Sequence, residues 1–370
     1  MTNVFNVCDY GAIGDGITDC TAAFQEAIDR AGEVHGSVIV PPGMYLCNTL
    51  YLKPSVCLMG HAGWGYRETG GSVIKLLDPS SHCLIDMSGA FGARVKDLQL
   101  LGNHVMGENI HGVYVRWEDQ VSRLNDDPVR EDNALQEKDH IGFREDSVTV
   151  EGCNIKNFSG DAIHLEKIWA FTIRNCMLMA NRGSGVYING WDGWITDCIM
   201  CVNHGAGIYA DKRCAAVTMT GNRIEWNRNG GINLANASLL NITGNYLDRS
   251  YGPAVTLRGI DGPCYSIAAT GNIFYRSGKY MPSFEENKYE SCHVYLDGGN
   301  NLTFSGNTFL HGKDDFAEGD YSPNYCVVMK DIESSVISNN TMKGGCLVSS
   351  FADLGGCDLD NYISGNVGLI

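Results

Sequence analysis

The chain has 370 residues, with 27 Lys and Arg against 43 Asp and Glu, a formal net charge of −16. Nucleic acid and anionic membrane are repelled by such a field, so neither is expected as a partner, and a polyanionic ligand needs a local basic patch to overcome it. With 45 Gly and 9 Pro, the composition suits many short strands and tight turns rather than long helices.

The N-terminal Met-Thr-Asn-Val-Phe-Asn shows no basic segment followed by an apolar run, and no stretch approaches 18 uninterrupted apolar residues. A cytoplasmic location is therefore expected for the chain as given, with secretion open if a leader has been removed. The 15 cysteines are odd in number and scattered. Reduced, mostly buried thiols fit them better than a disulfide framework or a zinc site.

Residues 1–50 read as an N-terminal cap region. A short strand runs into a Gly-rich turn, and Asp19 or Thr21 can then cap a helix whose apolar Phe24 and Ile28 share one face. Such a helix can close the open end of a stack. Ser37-Val-Ile-Val-Pro-Pro-Gly-Met-Tyr resumes a β pattern.

A repeat follows. Val148-Thr-Val, Phe171-Thr-Ile, Trp194-Ile-Thr, Val217-Thr-Met and Leu240-Asn-Ile start 23 residues apart each time. Each coil carries two more short strands. One contains Ile155, Leu178, Met200, Ile224, Leu247 and Phe274; the other contains Ala162–Leu165, Gly185–Ile188, Gly207–Ala210, Gly231–Leu234 and Ala254–Leu257. Three strands per coil predict an all-β, single-stranded, right-handed parallel β-helix with an N-terminal capping helix, forming one domain over 1–370. Cys153, Cys176, Cys198, Asn222, Asn245, Asn272, Asn307 and Asn340 fall at one turn of successive coils and are expected to stack as a ladder.

Three segments interrupt the repeat, at 117–144, 278–291 and 312–325. The last two carry Tyr280, Phe284, Tyr289, Phe316 and Tyr321. Loops of this length without structure of their own are usually functional. All three border the third strand column, which becomes a walled groove.

Alternation along that column points Ile163, Val186, Ile208, Ile232 and Val255 inward, so His164, Tyr187, Tyr209, Asn233 and Thr256 face outward as a ribbon. Tyrosine rings there can stack on sugar faces while Asn233 bonds the hydroxyls. The same stripe fits burial by a neighbouring subunit, and the two roles are compatible in a homotrimer. Carboxylates flank the ribbon. Asp161 and Asp211 are the leading catalytic pair, with Glu166 and His164 as local modifiers, because glycoside cleavage uses one protonated and one ionised carboxyl. Lys212, Arg213 and Arg258 are cations able to bind a substrate carboxylate. Glu225 and Asp248, at one outward position of consecutive coils, form an alternative pair whose ionisations would split. Any one of the turn carboxylates beside the ribbon fits equally well as a cap on backbone amides, and Arg249 and Lys156 offer Glu225 and Asp248 simple salt bridges. The acidic run 314–320 lacks the alternating spacing of a calcium loop, so neither metal nor cofactor is expected.

The opening Phe5-Asn-Val-Cys-Asp-Tyr-Gly-Ala-Ile-Gly-Asp-Gly-Ile-Thr-Asp resembles the N-terminal signature of the pectate-lyase-like β-helix superfamily, which phage tailspikes, polygalacturonase-like hydrolases and alginate epimerases share. Asn272-Ile-Phe-Tyr-Arg-Ser-Gly-Lys-Tyr-Met-Pro-Ser-Phe and His293-Val-Tyr-Leu-Asp-Gly-Gly-Asn-Asn-Leu-Thr-Phe-Ser-Gly-Asn are similar to inulin fructotransferases, which are trimeric. The acid pair of that family would fall on Asn175 and Tyr187, so its reaction does not carry over. Gly160–Leu165 and Gly205–Ile208 resemble the polygalacturonase coil segments that bear catalytic groups, with only Asp161 matching an acid. Resemblance and residues together lead to the expectation of an enzyme that cleaves or rearranges a glycosidic bond in an oligo- or polysaccharide by carboxylate acid/base catalysis, as a glycoside hydrolase or a fructotransferase-like enzyme. The alternatives are a polysaccharide lyase on a uronate glycan, with His164, Tyr187, Tyr209 or Lys212 as base, and a non-catalytic glycan-binding or phage-type structural β-helix.

Overall fold

The computed structural model describes residues 3–370 except 62–64, 67–69, 104–106, 117–145, 280–287 and 314–318. The expected loop 117–144 lies outside the described residues, as do Tyr280, Phe284 and Phe316. The chain divides into two compact units, Met1–Gly183 with Tyr187–Trp194, and Ser184–Val186 with Ile195–Ile370.

In the first unit the strand Asp15–Asp19 leads into the helix Thr21–Gly32. The Asp19 carboxylate accepts from the Thr21 amide at 2.9 Å, satisfying an amide that the first turn leaves open. Phe24, Ala27, Ile28 and Ala31 are buried on one face, and the Phe24 ring meets Tyr45 edge-on at 5.3 Å. Burial of Phe24 and Ile28 contributes about 1.5–3 kcal/mol each.

After the helix, the described strands pair in parallel and their side chains repeat in register. In the first unit Val148 stands opposite Phe171, Ile155 opposite Leu178, and Val113 opposite Ile163. In the second, Thr218 faces Asn241, and one row runs Met200, Ile224, Leu247, Phe274 and Phe309. Another runs Ile208, Ile232, Val255 and Val294. The apolar residues of these rows are buried, and coils stacked about 4.8 Å apart let each layer fill against the next. The architecture is an all-β parallel β-helix.

Turn chemistry locks the coils. In the second unit the Oδ1 of Asn245 accepts from both the backbone amide and the Nδ2 of Asn222 at 3.0 Å, and its own Nδ2 donates to the Met219 carbonyl at 2.9 Å. The same pattern runs on through Asn272, Asn307, Asn340 and Asn366. In the first unit Cys153 and Cys176 occupy this turn, and their thiols donate to the Val95 and Val150 carbonyls. All fifteen cysteines are free thiols. Burial pushes Cys201 and Cys214 up to about 12, which keeps them protonated and unreactive. Cys198 and Cys201 have a Cys-x-x-Cys spacing, yet both are buried within the coil rather than presented at the surface. No helix among the described residues is long and apolar enough to cross a membrane.

Candidate active site

The site is built on two neighbouring strands of the first unit. His111–Arg116 pairs in parallel with the start of Ile163–Arg174, so that Tyr114 stands opposite His164 and Arg116 opposite Glu166. Val113, Val115, Ile163 and Leu165 anchor both strands in the core, and alternation turns Tyr114, Arg116, His164 and Glu166 outward. The Tyr187 ring lies parallel to the His164 imidazole, 4.3 Å away at 8°, and Tyr114 lies on it at 5.5 Å and 12°. His164 is thus held between two tyrosine rings, which fixes its plane.

Asp161, three residues earlier, places Oδ2 at 2.8 Å from His164 Nδ1. Its backbone amide donates to His111 Nδ1 at 3.0 Å. That bond takes the Nδ1 lone pair of His111, so the ring carries its proton on Nε2 and is neutral. Burial, assisted by the neighbouring His164, pushes His111 down to about 3. The 3.4 Å approach of His111 Nδ1 to Asp161 Oδ2 is therefore not an ion pair. On the far side, His164 Nε2 lies 3.9 Å from Glu166 Oε2, and Asn189 Nδ2 donates to the other Glu166 oxygen at 3.0 Å. The side chains of Asp161, His164 and Glu166 keep 13%, 19% and 14% of their surface exposed, so the cluster is largely dry yet reachable.

Two glycines permit the close packing. A Cβ on Gly160 would stand 2.7 Å from His111 Nδ1, and one on Gly183 would collide with the Asp161 carboxylate. Beyond Tyr114, in the same row, Asp86 takes an amide bond from Ser88 at 2.8 Å, and its other oxygen lies 3.4 Å from His82 Nε2. Donor atoms of His111, Asp161 and His164, and separately of His82, Cys83 and Asp86, lie close enough to hold a cation. In the first group the engaged Nδ1 of His111 leaves mainly Asp161 and His164 to do so.

Of the residues singled out in the sequence, Asp161, His164, Glu166 and Tyr187 come together here. His111, Tyr114, His82 and Asp86 complete the cluster and were missed. Their signal was present, because Tyr114 lies at the outward position of a third-column strand.

The remaining candidates lie in the second unit. Tyr209, Asn233, Thr256 and Tyr295 share one row, and Asn233 donates to the Asn229 carbonyl at 3.2 Å. Tyr209 and Asn233 are half-buried, and the expected open ribbon closes at Thr256, which is only 1% exposed. Next in the row, Tyr295 packs with Cys292 and Val328 beneath Tyr289, Tyr325 and Leu354, which closes this stretch with apolar cover. Arg258 is held by Glu290 at 3.1 Å. Asp211, Lys212 and Arg213 follow the strand Ile208–Ala210 on an exposed turn. Glu225 and Asp248 are buried and saturated by guanidinium groups. Arg223 and Arg249 reach Glu225 at 2.6 and 3.3 Å, while Arg249 and Arg276 each reach Asp248 at 2.8 Å.

Residues 139–259 and 203–368 match the model of the right-handed β-helix region, more than half of the chain, and the chain belongs to that family. Residues 4–72 also match the model described as rhamnogalacturonase A/epimerase, pectate lyase-like. Among curated proteins, the chain is 37% identical over 128 residues to the mannuronan C5-epimerase AlgE4 of Azotobacter vinelandii, a match covering 30% of this chain and 22% of that protein. It is 43% identical over 83 residues to AlgE5 of the same organism, covering 20% and 8%. The matches thus span under a quarter of these relatives' lengths. Among solved structures, the AlgE4 A-module superposes with a TM-score of 0.59 at 19% identity, covering 98% of this chain and 99% of that one. DFA-IIIase from Arthrobacter chlorophenolicus A6, in complex with GF2, superposes at 0.68 and 13% identity, covering 98% and 94%. These likenesses show the shared fold.

Proposed function

We propose that this chain is a carbohydrate-active enzyme acting on a uronate-containing polysaccharide, with His164 moving the proton on the sugar carbon next to the carboxylate. One observation carries the proposal: an imidazole clamped between two tyrosine rings, with Nδ1 bonded to Asp161 at 2.8 Å and Nε2 left to meet a substrate. Asp161 holds His164 in the Nδ1–H tautomer and stabilises the imidazolium that forms when Nε2 takes the proton. The electron pair from the broken C–H bond moves into the substrate carboxylate. The neutral His111 presents an Nε2–H donor in the same cluster, and Arg116, opposite Glu166, supplies positive charge near the developing enediolate. Reprotonation from the opposite face, with a tyrosine hydroxyl as donor, gives the epimer. Expulsion of the neighbouring glycosidic oxygen instead gives an unsaturated end. The curated relatives are mannuronan C5-epimerases by name, which favours the first outcome. On this proposal the coils have three strands, the helix Thr21–Gly32 closes their N-terminal end, and Tyr209, Asn233, Lys212 and Arg213 assist sugar binding.

The test is turnover of polymannuronate in deuterium oxide, followed by NMR. Deuterium at C5 without chain cleavage is expected, and an unsaturated product would assign the lyase branch. New reducing ends with no exchange would overturn proton transfer at carbon. They would favour a second reading, glycosidic cleavage by Asp161 and Glu166, for which the observation is that these carboxylates flank the two nitrogens of one imidazole.

A further inference from the structure

In the second unit, a cavity of about 360 Å³ is lined by Val202, His204, Trp226, Arg228 and Tyr251. Its volume lies at the lower end of ligand-sized clefts, enough for one or two sugar rings. We propose that this cavity is a binding site for a uronic-acid residue of an oligosaccharide, with Trp226 and Tyr251 as stacking platforms and Arg228 and Lys279 receiving the carboxylate.

Three independent observations support it. The first is rigidity. Asn227 Oδ1 accepts from both the amide and the Nδ2 of Asn203 at 3.1 and 3.0 Å, and Asn227 Nδ2 donates to the Met200 carbonyl at 3.0 Å. Each of these buried asparagines immediately precedes a cavity residue, His204 and Arg228. The backbone amides of Arg228 and Tyr251 bond to the Asn203 and Asn227 carbonyls, so the wall is set before any ligand arrives.

The second is conformation. Val202 and Trp226 adopt φ of 59° and 54°, in the left-handed region that β-branched and bulky residues rarely occupy. Asn157, Ala180, Arg249 and Arg276 take the same backbone at the equivalent turn of other coils, so the conformation belongs to the coil itself. Here it throws both side chains off the coil and into the cavity. The Arg249 guanidinium lies 3.8 Å from the centroid of the Trp226 ring and pins it, being held in turn by Asp248 and Glu225.

The third is charge. The chain carries −16 overall, yet cationic side chains gather among the described residues at this corner. Three guanidinium groups, Arg223, Arg249 and Arg276, meet two carboxylates in the network beneath the cavity. Arg228 adds an exposed cation at the wall, and Lys279 Nζ lies 4.7 Å from the Tyr251 ring centroid. A neutral sugar would need only the aromatic platforms. A sugar that also carries a carboxylate uses the cations, and Arg reads that group through paired N–H donors.

The choice of a uronate agrees with the substrate class proposed above, but the site is argued from its own residues. Binding is therefore measured on the full chain carrying His164→Ala, with Trp226 fluorescence as reporter and trimannuronate or maltotriose as ligand. Trimannuronate is expected to change the emission saturably, Trp226→Phe to abolish that change, and Arg228→Ala to weaken affinity about tenfold and flatten its salt dependence. Lys279→Gln is the second variant, expected to act in the same direction, should Arg228→Ala fail to give the thermal unfolding of the parent. Equal binding of maltotriose, no emission change with trimannuronate, or unchanged affinity and salt dependence in the folded cation variants overturns the proposal. Undiminished turnover by His164→Ala would count against the catalytic role of His164 and leave the cavity result standing.

Discussion

The chain holds two clusters of charged side chains that the same stacking rule assembles, and they differ in how far solvent reaches them. In the second unit, Glu225 and Asp248 are at most 1% exposed, and guanidinium nitrogens of Arg223, Arg249 and Arg276 lie on both. In the first unit, Asp161 and Glu166 flank the His164 imidazole, whose Nε2 stands 3.9 Å from Glu166 Oε2, beyond hydrogen-bond reach. A saturated network resists change, because every proton or charge removed strands a partner in low dielectric. A cluster that stays reachable from solvent, with an imidazole nitrogen beyond hydrogen-bond reach of its carboxylate neighbour, can meet a substrate there. Repetition of coil positions therefore yields either a structural clasp or a reactive centre, and the difference lies in the counter-charges.

The sharpest way to break this comparison is to remove one member from each cluster. His164→Ala is expected to lower turnover by about 10²–10⁴ with little effect on the unfolding midpoint, and Asp161→Asn to lower it by a smaller factor through loss of the tautomer-fixing bond. Full turnover in either variant would remove the first cluster from catalysis. Asp248→Asn should do the reverse. It leaves Arg249 and Arg276 facing a neutral amide inside the protein, at a cost of about 3–5 kcal/mol in urea unfolding. Turnover per folded molecule should hold. A loss of turnover without a loss of stability would put the second cluster in the chemistry after all.

A smaller effect sharpens the role of the turns. Asn245→Ala leaves the Asn222 amide and Nδ2 without their acceptor and the Met219 carbonyl without its donor. The expected cost is about 1–3 kcal/mol, read as a shift in the denaturant midpoint with unchanged slope. No shift would mean that the asparagine row follows the coils rather than holding them.

Much of this was legible in the sequence, and the reason is periodicity. The 23-residue spacing fixed which residues stack, and the pairing of Val148 with Phe171 follows it. The asparagine row and the inward set were readable for the same cause. Half of the candidate site was not, because His111 and Asp161 are 50 residues apart and the long insertion between them breaks the count. The Glu225–Asp248 pair misled for a different reason. Sequence spacing shows two carboxylates one strand apart with Arg249 beside them, but not that Arg276, with a φ of 50°, turns back over Asp248 as well. Nor does it show that Tyr289, Tyr325 and Leu354 come to cover Tyr295, since such cover depends on where long excursions return.

Acid sensitivity gives the finest comparison, because among the described residues His111 in the first unit and His293 in the second are buried in the neutral form. His111 is held down to about 3, first by burial and then by the neighbouring His164, and His293 to about 3, chiefly by burial. In the unfolded chain both titrate near 6.5. Below that pH the unfolded state takes up a proton that the folded state refuses, so each histidine contributes its full stability above 6.5 and loses it progressively down to about pH 3. The expected slope is about 1.4 kcal/mol per pH unit for each histidine within that window. His111→Gln keeps an oxygen to accept the Asp161 amide and cannot be protonated, so it should reduce the slope between pH 6 and 4 by roughly one proton's worth. Urea midpoints measured at pH 7, 6, 5 and 4 on parent and variant provide the check. Parallel curves would mean that His111 is charged in the folded protein, and the neutral donor assigned to it beside His164 would have to be withdrawn.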